Sequence, residues 1–287
     1  MKTVKTVLEL AADLLGRRGV KSSRLVADTL LASFLKVKRI DLYMQFDRPL
    51  QEEELVLFRE AIKRAVTHEP IDYILGELEF YGCTIRVGPG VLIPRPETEI
   101  LIEHIEGRLD GSEKTALDLC TGSGCIATAL KTRQPDLKVA AVDLSLEALE
   151  IAKTNHSDVE WLKGDLTQPV QGRKFDLIVC NPPYVTSNEY EALDPSVRQF
   201  EPKIALVGGE SGLEFYERLA AELPPLLASN AKVFFEIGTG QGEAVKALFS
   251  EDLYDDLIVV PDWAGHDRFF MLKVKENSSI MGSTHYV

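Results

Sequence analysis

The chain has 287 residues, 45% of them apolar, and a formal net charge of −13. Its length suits one large domain with a small one, and its apolar share suffices for a sizeable core. The charge argues against binding a polyanion, which rests on neutralising phosphates, and no apolar run of about 18 residues suggests a membrane span.

The charge is unevenly placed. Residues 1–75 carry 13 Lys and Arg against 11 Asp and Glu, which leaves 19 against 34 for the rest. The front lobe therefore has a partner of its own, or the remainder simply has a solvated acidic surface. After Met1-Lys2-Thr3-Val4-Lys5 the pattern is that of an amphipathic helix, not a secretory signal. Cys83, Cys120, Cys125 and Cys180 show no Cys-x-x-Cys spacing and read as reduced core thiols of a cytoplasmic protein. The five histidines form no metal-ligand pattern, so no metal is expected.

Residues 1–75 read as all-helical. Val4, Val7, Leu8, Ala11 and Leu15 share one helical face, bracketed at the end by Gly16 and Gly19. Ser22 or Ser23 is placed to cap a second helix with Val26, Leu30 and Phe34 inward. A longer helix follows Pro49, with Leu55, Phe58, Ile62 and Val66 as its stripe. Its Glu52, Glu53 and Glu54 stand at the start and Lys63 and Arg64 near the end, as the helix dipole favours. No catalytic group is visible here; the lobe is a partner-binding module or a stabilising cap.

From Glu79 to Pro94 the period shortens. Phe80, Cys83, Ile85 and Val87, then Gly88-Pro89-Gly90, then Val91-Leu92-Ile93 suggest a hairpin acting as a joint over 76–95. Pro96 is suited to the first position of the next helix, which carries Ile100, Leu101, His104 and Ile105 inward. His104 reads as a partly buried core histidine.

Residues 114–275 alternate short apolar runs with helical patterns, which implies a parallel sheet with helices on both faces. Ala116-Leu117-Asp118-Leu119 is the first strand, and the turn Cys120-Thr121-Gly122-Ser123-Gly124 lets a ligand approach the backbone closely. The second strand, Lys138 to Val142, ends at Asp143, about 20 residues past the glycines, where an acidic residue meets a ribose diol. The third, Val159 to Lys163, ends at Gly164-Asp165-Leu166, a loop suited to face an adenine. The fourth, Phe175 to Cys180, must stop at Asn181-Pro182-Pro183-Tyr184, because two prolines cannot continue a ladder. That stiff loop offers the Asn181 side chain, free proline carbonyls and the Tyr184 ring, a set able to grip a planar –NH2 group. Lys232 to Ile237, Leu257 to Val260 and Arg268 to Leu272 supply three further strands. The tail over 276–287 is expected to be disordered.

A dinucleotide dehydrogenase begins in the same way but has no use for Asn-Pro-Pro-Tyr at its fourth strand. The arrangement resembles the class I methyltransferases that use S-adenosylmethionine: a seven-stranded, mostly parallel sheet whose last strand is antiparallel. More narrowly, about Ser23 to Leu272 resembles the peptide-chain release-factor glutamine methyltransferases (the HemK or PrmC family). The resemblance is carried by Glu69-Pro70-Ile71, Ile93-Pro94-Arg95-Pro96-Glu97-Thr98-Glu99, Asp118 to Gly124, the Asn-Pro-Pro-Tyr (NPPY) motif, Phe200-Glu201-Pro202, Gly208 to Leu213 and Glu236-Ile237-Gly238. Cys120 departs from it, since release-factor enzymes usually have glycine there. A cysteine resembles the sister enzymes that methylate a ribosomal-protein glutamine, whereas Val197 to Pro202 and Gly240 to Val245 lean back to the release-factor branch.

The resemblance implies transfer of a methyl group from S-adenosylmethionine, leaving S-adenosylhomocysteine, to the side-chain nitrogen of the Gly-Gly-Gln glutamine of release factors, an event of translation termination. It implies that Asn181 and the Pro182 backbone accept hydrogen bonds from the glutamine amide while Pro183 and Tyr184 pack beside it. An amide nitrogen is a poor nucleophile, and acceptors on its two hydrogens strengthen as positive charge builds on it in the transition state. The cofactor is expected along Cys120, Thr121, Gly122, Ser123 and Gly124, with Asp143 on the ribose, Asp165 and Leu166 near the adenine, and Asn181 at the methyl end. Glu97 and Thr98 either cover the site or form an ordinary helical turn. The implied organisation is a substrate-recognition lobe over 1–75, a catalytic domain over 96–275, and a monomer whose partner is a release factor, with neither nucleic acid nor membrane. A nucleic-acid adenine or cytosine amino-methyltransferase is the alternative class, because those enzymes use a similar tetrapeptide; the acidic balance counts against it.

Overall fold

The structure, a computed structural model, describes residues 2–276. The expected disordered tail lies outside the described residues except for Glu276. The chain divides into two units, one of residues 2–77 with 194–200 and one of 78–193 with 201–276.

The first unit is helical, with α1 (Val4–Arg17), α2 (Ser23–Leu35), α3 (Arg39–Met44), α4 (Glu52–Ala65) and α5 (Ile71–Leu75). The five α1 residues expected on one face, Val4, Val7, Leu8, Ala11 and Leu15, are the five that are buried. In α2 the buried face is Ala27, Leu30 and Leu31, with Val26 and Phe34 at its margin, so the expected stripe is rotated. Ser22 stands at the N-cap of α2 in a left-handed conformation and makes no capping bond with its side chain. Arg64 explains Glu69-Pro70-Ile71. Its guanidinium meets both Glu69 oxygens at 2.5 and 2.8 Å and also donates to the Tyr73 carbonyl near the end of α5. The segment 194–200 belongs here too, with Lys21 donating to Asp194 at 2.6 Å.

The second unit opens with a hairpin of β1 (Glu77–Phe80) and β2 (Cys83–Arg86). The hairpin does not turn at Gly88-Pro89-Gly90 as expected. Tyr81 and Gly82 have φ of 46° and 75°, the two-residue turn whose twist matches antiparallel strands. Residues 91–95 form no strand, in keeping with the prolines at 94 and 96. Then follow α6 (Pro96–Glu106), β3 (Thr115–Leu119), α7 (Cys125–Arg133), β4 (Lys138–Asp143), α8 (Leu146–Lys153), β5 (Glu160–Lys163) and β6 (Phe175–Cys180). Next come β7 (Val185–Thr186), α9 (Ser187–Tyr190), α10 (Pro195–Phe200, part of the first unit), β8 (Val207–Gly209), α11 (Glu214–Glu222), β9 (Leu227–Glu236), α12 (Gly242–Lys246), β10 (Tyr254–Pro261) and β11 (Asp267–Val274).

Seven strands form one sheet in the order β10-β11-β9-β6-β3-β4-β5. β5, β4, β3, β6 and β9 run parallel, and β11 is antiparallel to both of its neighbours, as the resemblance implied. Leu117, Leu119, Leu177, Ile178, Val179 and Cys180 in the central strands are all fully buried, the mark of a sheet covered on both faces. His104 is partly buried with its ring edge against Phe269 at 5.4 Å. All four cysteines are free thiols, three buried and Cys120 partly so. Among the described residues no helix is long and apolar enough to cross a membrane, and no group of His, Cys, Asp and Glu is disposed to hold a metal ion.

From β3 the chain steps outward through β4 and β5, then returns to the other side of β3 as β6. Adjacent loops there leave in opposite directions and open a crevice at the carboxyl ends of the strands.

Candidate functional site

A cavity of about 230 Å³ occupies that crevice. Cys120 and Gly122 after β3, Asp143 at the end of β4, Asp165 and Leu166 after β5, and Asn181 and Pro183 after β6 all line it. Val91 and Leu92 form one further wall and Phe215 and Arg218 of α11 another.

The turn after β3 is built from below by Asp118. This residue is 1% exposed, and one of its carboxylate oxygens accepts from the Thr121 hydroxyl at 2.5 Å and from the Ala127 N–H at 3.2 Å. Burial pushes its carboxyl up to about 7 against the pull of those two donors. Thr121 and Ser123 are themselves buried, and Gly124 is the N-cap of α7. None of these three lines the cavity; they shape the turn that does. Cys120 has φ 58° and Leu166 φ 45°, both in the left-handed region. Each costs about 1–2 kcal/mol for a residue with a Cβ. The strain at Cys120 is a physical reason for glycine to serve at that position. Both outliers fall on the cavity wall.

Asp143 is held by the backbone it faces. Its two oxygens accept from the Gly122 N–H and the Ser145 N–H, each at 2.8 Å. Burial raises its pKa against the pull of those backbone donors. Asp165 is gripped by Arg218, whose two terminal nitrogens meet its two oxygens.

The Asn-Pro-Pro-Tyr loop is caged. The Gln241 side chain donates to the Tyr184 carbonyl at 3.2 Å, while its oxygen accepts from the Gly238 N–H at 2.8 Å. The Val185 N–H donates to the Leu206 carbonyl. A Cβ on Gly208 would stand 2.4 Å from the Pro183 carbonyl oxygen, and one on Gly212 equally close to that of Tyr184. Only glycine lets these strands press on the loop, which accounts for the Gly-Gly-Glu-Ser-Gly run. Glu201, 5% exposed, accepts from the Ile93 N–H at 3.0 Å and pairs with Arg95 at 2.5 Å, tying Phe200-Glu201-Pro202 to Ile93-Pro94-Arg95 beside the cavity wall.

Asn181 is partly exposed to the cavity, and its Nδ2 lies 3.5 Å from the Thr98 hydroxyl oxygen. Pro182 is buried, and Tyr184 turns its hydroxyl away from the cavity onto Glu236 at 3.3 Å. Thr98 is 2% exposed and reaches into the molecule, whereas Glu97 is partly exposed. The groups that reading the sequence missed are Glu236, Arg218 and Gln241. Glu236 and Gln241 stood inside segments that carried the resemblance, Glu236-Ile237-Gly238 and Gly240 to Val245, but without a role; Arg218 left no signal.

Comparison with known proteins identifies the fold and the family. The PrmC N-terminal domain family matches residues 6–76, and the methyltransferase small domain family matches residues 96–198. The crystal structure of a methyltransferase from Pyrococcus furiosus shares the fold, with a TM-score of 0.52 and 21% identity over 78% of this chain and 98% of that one. The release factor glutamine methyltransferase of Geobacter sulfurreducens is 38% identical over 93% of this chain and 95% of its own. That of Bacillus cereus is 40% identical over 86% and 92%. Identity at this level over nearly the full length of both partners places the chain in a family: it belongs to the release factor glutamine methyltransferases.

Proposed function

We propose that the crevice takes S-adenosylmethionine and that the Asn181 loop presents a release-factor glutamine to it, so that the chain methylates the side-chain amide nitrogen of that glutamine. The carrying observation is the caged Asn-Pro-Pro-Tyr loop opening on a cavity that Asp143 also lines. The residues suit the cofactor. Asp143 has acceptor capacity for ribose hydroxyls, and Leu166 and Phe215 offer apolar surface to a flat ring. Cys120, Gly122 and Asn181 form the stretch nearest the reacting end. When bound, the cofactor supplies an electrophilic methyl group.

The chain's own residues do the positioning. Asn181 Oδ1 and the Pro182 carbonyl accept the two amide hydrogens of the substrate and aim its nitrogen. Both acceptors strengthen their hold as the nitrogen becomes positive. Pro183 and Tyr184 brace the loop. The helical lobe binds the release factor away from the glutamine, and the enzyme works as a cytoplasmic monomer without nucleic acid. Cys120 is the one feature favouring a ribosomal-protein substrate.

Asn181→Ala tests the reading. It should keep the fold and the cofactor and lose about 10²–10³ in single-turnover methylation of a release factor. Asn181→Asp keeps an acceptor but brings a charge that must be desolvated, and should retain part of the rate. A wild-type rate for the Ala variant would remove the loop from the chemistry. Offering ribosomal proteins, RNA and DNA under the same conditions separates the substrates.

A further inference from the structure

Glu236 closes β9 with 2% of its surface exposed. An ionised carboxylate so placed must be matched by donors. The nearby Arg268 does not bond it; that guanidinium donates to Asp262, the Ile237 carbonyl and Thr239. Instead, the Thr98 hydroxyl donates to Oε2 at 2.6 Å and the Tyr184 hydroxyl to Oε1 at 3.3 Å. Burial raises the Glu236 pKa, while the Thr98 bond, Arg268 and the Tyr184 bond lower it and Glu97 raises it.

These contacts dictate a direction. Glu236 Oε2 accepts from the Thr98 hydroxyl at 2.6 Å, so the single hydroxyl proton of Thr98 is spent on Glu236. The Thr98 oxygen then offers only lone pairs to its other neighbour, Asn181, whose Nδ2 stands 3.5 Å away. An amide turned the other way would set oxygen against oxygen. The –NH2 of Asn181 is thereby drawn to Thr98, and its Oδ1 is left as the acceptor facing the cavity. The two ends of an amide are assigned by the bonding network around them, and here Thr98, with its proton on Glu236, places Nδ2 on its own side.

We propose that Glu236, acting through Thr98, is a positioning residue that fixes the amide of Asn181 with its acceptor towards the substrate. The same carboxylate anchors the Tyr184 hydroxyl, so one buried charge orients both ends of the Asn-Pro-Pro-Tyr loop. The proposal rests on the reading of Asn181 given above. It gives Glu236-Ile237-Gly238 and Thr98 of the Pro-Glu-Thr-Glu segment a shared task, although they are 138 residues apart.

The test uses the full chain, with single-turnover methylation of a release factor at saturating cofactor and calorimetry for cofactor affinity. Thr98→Ser keeps the hydroxyl and should react at close to the wild-type rate. Thr98→Val keeps the shape without the bond and should lose about 10–100-fold, by analogy with residues that orient metal ligands, with cofactor affinity unchanged. Glu236→Gln no longer forces the hydroxyl's direction and should fall with it. The decisive comparison adds Thr98→Val to Asn181→Ala: a residue acting only through Asn181 causes no further loss. A wild-type rate for Thr98→Val, or losses that multiply in the double variant, would overturn the proposal even if Asn181→Ala alone is inactive. A fully active Asn181→Ala would instead overturn the reading of the loop.

Discussion

Arg218 on α11 donates from both terminal nitrogens to the two carboxylate oxygens of Asp165, 53 residues earlier, at 3.0 Å each. The pair stands on the rim of the cavity and holds the loop that carries Leu166. Because both side chains are nearly two-fifths exposed, its contribution to folding is small, about 0.2–1 kcal/mol. Its effect on the loop should be larger. Arg218→Met is expected to lower cofactor affinity about 3–10-fold, equivalent to roughly 0.7–1.4 kcal/mol, with little change in thermal midpoint. Calorimetry giving wild-type affinity would detach this pair from the cofactor.

Asp143 carries a larger share. Asp143→Ala removes a charged acceptor from the expected ribose diol, at about 1.5–3 kcal/mol per bond, which corresponds to roughly 10–150-fold in affinity. It also strips the Gly122 and Ser145 N–H groups of their partner. Asp143→Asn retains one oxygen for those groups and should fall between wild type and Ala. If Asn binds the cofactor as tightly as Asp, the charge has no part in recognition.

The helical lobe is better probed by surface changes than by deletion. Removing residues 1–75 would strip 194–200 of the unit to which it belongs. Leu10 and Leu14 of α1, 59% and 42% exposed, line an apolar groove with Leu55 and Phe58 of α4. Changing both leucines to Glu should raise KM for a release factor by about tenfold or more, the scale of an interface hot spot, and leave cofactor affinity alone. An unchanged KM would exclude this face of the lobe from substrate binding.

Asp118 makes stability depend on pH. Its folded value is about 7, against roughly 3.9 for an unfolded Asp. Between those values the unfolded chain releases the proton and the folded chain keeps it. The contribution is therefore present at low pH and lost as pH rises through the folded value. Asp118→Asn escapes that loss. Relative to wild type it should gain on the order of 2–4 kcal/mol on going from pH 4 to pH 8. Urea unfolding at the two values measures this, and an equal difference at both would show that Asp118 titrates as an ordinary carboxyl.

Much of the architecture was legible because buried parallel strands are near-continuous apolar runs, as β3, β4 and β6 are but for Asp118, Asp176 and the polar ends of β3 and β4. The double proline likewise had to end β6. The hairpin was misplaced for a local reason: Gly88-Pro89-Gly90 is the louder turn signal, but Tyr81-Gly82 has the twist that closes two strands. In α2, periodicity located a helix without fixing which of two neighbouring stripes faces inward, because Ala27 and Leu31 compete with Val26 and Phe34.

The sequence by itself determined which strand ends meet at one crevice, since chain order and right-handed crossovers bring the loops after β3, β4, β5 and β6 to one edge. Only the tertiary structure decided what surrounds them. It assigned Thr121, Ser123 and Gly124 to the support of the turn, Arg218 to Asp165, Gln241 to the Tyr184 carbonyl, and Glu236 to Thr98 and Tyr184. Apart from Thr121, which bonds Asp118 three residues away, these partners are 52 to 138 residues apart in the chain, and a hydrogen bond is made by angle and by distances near 3 Å. Such a bond leaves no period or spacing in the sequence, so it becomes visible only when the sheet has brought its ends together.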